Sequence, residues 1–191
     1  MPLQRANLTR RRLCAGGVAA IAAPAWAAAH GAAASAVPVE VTAVLPTPRL
    51  QGSGKLRFFG LEVYDARLWV GDRFAAPRFE DHAFALELQY ARTLQGTAIA
   101  QRSIVEMRRA GNVADSQAKA WEEMLASVFP NVIAGDRLTG VHQPAAATRF
   151  FHNSRPIATV ADPAFGRAFF GIWLAETTSE PALRRQLIGL A

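Results

Sequence analysis

The residue types that could do chemistry gather in one stretch of this 191-residue chain, Leu50 to Val70. It reads L-Q-G-S-G-K-L-R-F-F-G-L-E-V-Y-D-A-R-L-W-V. Arg57 stands in it as a fixed cation among Leu56, Phe58 and Phe59. A buried charge is costly without a partner. A guanidinium in such a place can grip a carboxylate or phenolate in a fork geometry that lysine cannot copy. The same residue could instead face solvent at a sheet edge, or pair with an acid such as Glu62. Tyr64 adds a phenol a few residues on. Ser103 places a hydroxyl inside an apolar helical stripe, where it either meets a ligand or bonds back to the preceding turn.

Other chemistries lack their residues. His30, His82, His142 and His152 are scattered, without the spacing or the cysteine partners of a metal site. Gly52-Ser53-Gly54 precedes a strand rather than a helix and has no third glycine, so it is a tight turn or a close backbone approach, not a dinucleotide fingerprint. No nucleophile elbow occurs. Acidic pairs such as Glu80-Asp81 and Glu122-Glu123 read as solvated. No metal and no cofactor is expected.

Strands and helices must position these groups. Val37 to Leu45 alternates and reads as a first strand, ended by Pro46 and Pro48. Leu50 to Val70 is a strand pair meeting at Gly60. In its second half Tyr64, Ala66, Leu68 and Val70 share one face, with Asp65 and Arg67 neighbours on the other. Phe84 to Tyr90 is a further strand. The period then shifts to about 3.6. Thr93 can cap a helix from Leu94 to Arg109 whose Ile99, Ser103 and Met107 form a buried stripe, with Arg102–Glu106 and Glu106–Arg109 spaced to pair on its exposed flank. Asp115 can cap a second helix, stopped by Pro130. Arg137 to His142, Thr148 to Asn153 and Pro156 to Val160 read as antiparallel strands, the last two joined by a turn at Asn153-Ser154. Asp162-Pro163 opens a very apolar helix in which Phe165, Phe169 and Trp173 recur at i, i+4 and i+8, either as core or as an apolar ligand wall. A final helix, Glu180 to Ile188, is capped by Thr178 or Ser179.

Composition bounds the rest. Apolar residues form 51% of the chain, enough for a core. The formal charge is +6, but four of the 21 basic residues (Arg5, Arg10, Arg11, Arg12) and none of the 15 acidic ones precede residue 28. The body is therefore nearly balanced, which argues against nucleic acid and against electrostatic binding to a membrane surface. Arg10-Arg11-Arg12, a short Ala-rich apolar segment and Ala25-Trp26-Ala27 together read as a signal peptide over residues 1–27, with the paired arginines of a twin-arginine signal. Cleavage near Ala27 would deliver the protein to the periplasm without Cys14, its one cysteine. Residues 28–36 read as a flexible Ala-rich start and 37–191 as one domain. No apolar run of the ~20 residues needed to cross a bilayer follows the leader.

From about Leu50 to Leu190 the chain resembles the chalcone isomerase-like family, in particular its exported bacterial branch. Six blocks carry the likeness in order: G-S-G-K-L-R-F-F-G-L-E-V-Y-D-A-R-L-W-V, F-A-L-E-L-Q-Y-A-R, R-S-I-V-E-M-R-R, F-P-N-V-I-A-G-D-R-L-T-G, R-F-F-H-N and F-F-G-I-W-L. The resemblance implies an α+β fold, a curved antiparallel sheet with helices on one face and a ligand cleft between. Family members of known activity close a chalcone to a flavanone with an Arg and a Thr near the first strand pair, a Tyr and an Asn on the first helix, and a late hydroxyl. Arg57 matches the Arg. The helical Tyr and Asn positions fall near Ile99 and Glu106, the late hydroxyl near Gly171, and the strand Thr near Tyr64 or Asp65. Most of the polar catalytic positions are thus replaced, where an isomerase needs preorganised donors. The family also holds non-catalytic fatty-acid binders in which the Arg takes the carboxylate.

Three readings follow. The first is a non-catalytic binder of a small amphipathic, fatty-acid-like or aromatic ligand, lined by Arg57, Tyr64, Ile99, Ser103, Glu106, Phe169 and Trp173, with Arg57 at the anionic end. The alternative is an isomerase or intramolecular lyase in which Arg57 stabilises an oxyanion and Tyr64 or Ser103 donates a proton. The third is a partner-binding protein without a cleft.

Overall fold

The computed structural model describes residues 36–190; the expected signal peptide and most of the Ala-rich start lie outside them. Six strands form one antiparallel, open, curved sheet in sequential order: β1 (Arg49–Phe58), β2 (Leu61–Val70), β3 (Phe84–Tyr90), β4 (Arg137–Gln143), β5 (Ala147–His152) and β6 (Arg155–Val160). A short 3-10 turn, Ala76–Asp81, leads into β3. Helices α2 (Gly96–Ala110) and α3 (Asp115–Val128) connect β3 to β4, and α4 (Pro163–Leu174) and α5 (Pro181–Leu187) follow β6. The expected α+β architecture is the one observed. Among the described residues no helix is long and apolar enough to cross a membrane.

One correction concerns the start. Val37 to Leu45 is not a strand; it forms a single helical turn, α1 (Val39–Thr42), entered from Pro38. The alternation of Val39 and Val41 is outweighed by a second spacing in the same residues. Val37, Val41 and Leu45 lie four apart, and all three pack against Trp69, Ala85 and Val141 on the sheet face away from the larger helices. Val39 is left exposed.

The sheet separates two environments. Tyr64, Ala66, Leu68 and Val70 of β2, with Phe84, Leu86, Leu88 and Tyr90 of β3, face the main core. The opposite face carries charge. Glu87, almost wholly buried, pairs with Arg67 at 3.1 Å and Arg137 at 3.6 Å and accepts a 2.9 Å hydrogen bond from Trp69 Nε1. Asp65 and Arg67, neighbours on this face, do not pair with each other. Arg67 sits directly opposite Glu87, and Asp65 opposite Lys55, which it meets at 3.6 Å. Direct cross-strand neighbours are closer than residues two apart on one strand.

Helix α4 packs eight of its twelve residues into the core. Its start is as expected, with Asp162 accepting from the Ala164 amide and Pro163 in the first turn. Thr93 does not cap α2. That helix begins at Gly96, whose amide is bonded by Asn131 Oδ1 at 3.0 Å. Asp115 lies in the first turn of α3 rather than at its cap, which is Ala114. Thr178 Oγ1 accepts from the Glu180 amide just before α5.

Gly52 and Gly54 are a close approach, not a turn. They lie in β1, and α5 crosses directly over them. A Cβ on Gly52 would stand 2.0 Å from the Gln186 carbonyl oxygen. Because the obstacle is backbone, Gly52→Ala is expected to cost about 1–3 kcal/mol. Urea denaturation checks this, and an unchanged midpoint would show that α5 does not rest on β1.

Candidate functional site

Between the sheet and helices α2 and α4 lies a cavity of about 330 Å³. Leu86, Leu88, Leu138 and Phe150 form its floor on the sheet. Phe169, Phe170 and Trp173 of α4 and Ile99, Ser103 and Glu106 of α2 form its walls. Its rim carries Phe58, Arg92, Arg102, Ser179 and Glu180. The expected face-sharing brings several of these residues together: Leu86 and Leu88 by the period of two on β3, and Ile99 and Ser103 by the helical period on α2.

Six of the seven expected binding residues line this cavity: Tyr64, Ile99, Ser103, Glu106, Phe169 and Trp173. Arg57 does not. Leu56 pairs across the hairpin with Tyr64 and points to the cavity, so its neighbour Arg57 points away. The Arg57 side chain is 61% exposed and pairs with Glu62 at 2.9 Å. The expectation of a cation buried among Leu56, Phe58 and Phe59 is therefore corrected by the pleat, and Arg57 is not placed to meet a ligand in this cavity.

The polar groups that do face the cavity are few. Trp173 Nε1 donates to Tyr64 Oη at 2.9 Å, leaving the tyrosine O–H free to donate. The Tyr90 ring meets Tyr64 edge-on at 5.9 Å. Burial pushes both phenols above the ordinary tyrosine range, with Trp173 partly opposing this at Tyr64, so both stay neutral donors. Ser103 Oγ donates back to the Ile99 carbonyl at 2.8 Å, the plain structural option for a hydroxyl in a helix, while its lone pairs remain open to the cavity.

Glu106 is buried, not on an exposed flank as its spacing suggested. It does form both expected pairs, with Arg102 at Oε1 and with Arg109 at 3.7 Å, and Ser179 Oγ donates to Oε2 at 2.7 Å. Arg102 is thereby occupied. Arg92 is different: it is exposed at the rim and makes no ion pair among the described residues. Tyr90, Arg92 and Glu180 are among the cavity residues that sequence reasoning missed. The signal was present, because Tyr90 and Arg92 continue the same alternation that set Phe84, Leu86 and Leu88 on one face.

The family model described as chalcone isomerase-like matches residues 31–189. The chain belongs to the chalcone isomerase-like family. Among solved structures it is similar to a fatty-acid binding protein of Arabidopsis thaliana, AtFAP1, with a TM-score of 0.59 and 14% identity over 74% of this chain and 86% of that one. At that identity the likeness speaks for the fold. No curated protein matches the chain in sequence.

The Tyr64–Trp173 hydrogen bond ties the sheet to α4 across the cavity. Tyr64→Phe would leave the indole N–H without its acceptor, at an expected cost of about 1–3 kcal/mol. Chemical denaturation followed by Trp fluorescence measures it, and a stability equal to wild type would mean that this bond does not tie the two layers.

Proposed function

We propose that this family member is a non-catalytic binder of a small amphipathic carboxylate, fatty-acid-like or aromatic, held in the cavity between sheet and helices. One observation carries the reading: an apolar cavity whose rim presents a guanidinium, Arg92, without an ion-pair partner among the described residues. The apolar part of the ligand would lie against Phe169, Phe170, Leu86 and Leu88. Its carboxylate would meet Arg92 at the mouth, with Tyr64 and Tyr90 as neutral donors deeper in. The volume is at the small end of the roughly 300–1,000 Å³ usual for ligand pockets, which favours a medium-length chain or a single aromatic acid. The fatty-acid binding protein of similar fold supports an acid as the ligand class.

A second reading, an isomerase or intramolecular lyase, is favoured by the free O–H of Tyr64 beside the cavity, a proton donor of the kind such chemistry requires. Arg57 does not serve it, since it lies on the other face, and Arg102, the guanidinium that acts on Tyr64, is held by Glu106. Conversion of 2′-hydroxychalcone to flavanone, followed by loss of the chalcone absorbance and abolished in Tyr64→Phe, would favour it.

Titration calorimetry with decanoic acid and with cinnamic acid tests the binder. A charged hydrogen bond contributes about 1.5–3 kcal/mol, so Arg92→Ala should weaken binding about 10- to 100-fold. Arg57→Ala should bind as wild type does. No binding of either acid, or a loss confined to Arg57→Ala, would defeat the reading.

Residues 1–27 are proposed to export the protein to the periplasm. The support is the arginine run, the Ala-rich apolar segment and the Ala25-Trp26-Ala27 site. N-terminal sequencing of protein recovered from a periplasmic fraction should begin near Ala28, and recovery of uncleaved chain only in the cytoplasm would contradict it.

A further inference from the structure

The β1–β2 hairpin ends in a two-residue loop, Phe59-Gly60, because Phe58 and Leu61 form the last cross-strand pair. Both loop residues have positive φ, 47° and 79°. That is the combination of a type I′ turn, whose first position ordinarily takes Asn, Asp or Gly. The β5–β6 hairpin follows the preference, with Asn153 at φ 49°. Phe59 does not. A bulky side chain in the left-handed region is strained. It is also 91% exposed, so burial within the chain does not offset that strain. Phe58 and Leu61 beside it are 55% and 57% exposed, and the two phenyl rings meet edge-on at 4.5 Å. Phe58 also lines the cavity, so the apolar tip runs into the cavity mouth.

We propose that this tip docks the protein on a phospholipid bilayer. Phe59 and Leu61 enter the boundary between head groups and acyl chains, and the cavity mouth is brought to the surface from which an amphipathic ligand would pass. A second copy of the chain is the poorer occupant. A stable protein interface needs about 800 Å² from each partner, and three side chains on a narrow hairpin tip do not supply it. A bilayer needs no matching shape. The nearby charges set the character of the contact. Lys55 is answered by Glu62 and Asp65, and Arg57 by Glu62. Docking is therefore hydrophobic rather than electrostatic, which agrees with the nearly balanced charge of the body. The ligand-transfer part rests on the cavity reading above; the docking does not.

Vesicle flotation of the full chain, with equal parts phosphatidylcholine and phosphatidylglycerol, tests this. The N-terminal residues are common to wild type and variants, so differences report the tip. Phe59→Asn should lower partitioning into the floated fraction roughly tenfold, the scale of one buried aromatic side chain. Its thermal midpoint should stay level or rise, since Asn suits the turn. Leu61→Ser should act in the same direction, and the difference between wild type and Phe59→Asn should persist at high salt. Decanoic acid binding in solution should be the same for wild type and Phe59→Asn; failure of both to bind would defeat the cavity reading and leave the docking result standing. Equal flotation of wild type and Phe59→Asn, a difference between them abolished by salt, or a concentration-dependent dimer lost in Phe59→Asn would each overturn the proposal.

Discussion

Alternation along the pleat decides where each charged side chain of this sheet can go. On one face the strands present Tyr64, Leu86, Leu88 and Leu138 to the helices and enclose the cavity. On the other they present Lys55, Arg57, Asp65, Arg67 and Glu87, which answer one another across the strands. A one-residue shift of β1 against β2 would exchange the two sets. The cavity can be apolar because the sheet's charges have been sorted to the opposite side, where Glu87 alone engages two guanidiniums and an indole. The same sorting removes Arg57 from the cavity and leaves the rim to Arg92, beyond the end of β3.

Helices α4 and α5 depend on that frame. Gly52 and Gly54 let α5 approach the backbone of β1, and Gly140 meets Phe170 of α4, whose ring carbons would stand 3.1 Å from an added Cβ. Phe165 stacks on Phe169, and Phe169 meets Trp173, so the aromatic series is both core and cavity wall. The two readings open from the sequence are not exclusive. Burial on one side of a ring and a cavity on the other come from the same packing.

Element types were legible because the periods were long and clean. The stripe of Ile99, Ser103 and Met107, the aromatic series of α4, the β3 alternation and the Asn153-Ser154 turn all stand where their spacing puts them. Val37 to Leu45 was not legible, since β-branched residues two apart also satisfied a spacing of four, and only contact with Trp69 and Val141 decides between them. The site was legible by face but not by depth. Tyr64, Ile99, Ser103, Glu106, Phe169 and Trp173 could be assigned to one cavity from periodicity and family likeness. Arg57 looked buried because Leu56, Phe58 and Phe59 flank it in sequence, whereas along β1 Leu56 and Phe58 turn to the cavity and Arg57 to the opposite face. Glu106 looked solvated because its partners Arg102 and Arg109 are near in sequence, while Ser179, which helps bury it, is distant.

The central claim is that an anionic amphipath occupies the space between sheet and helices with its head at Arg92. A crystal structure with a bromine-terminated medium-chain fatty acid tests it most directly. The account predicts a bromine anomalous peak inside the cavity, near Phe169, and carboxylate density within hydrogen-bond distance of the Arg92 guanidinium. A bromine peak outside the cavity, or a carboxylate on the opposite face of the sheet beside Arg57, would contradict it.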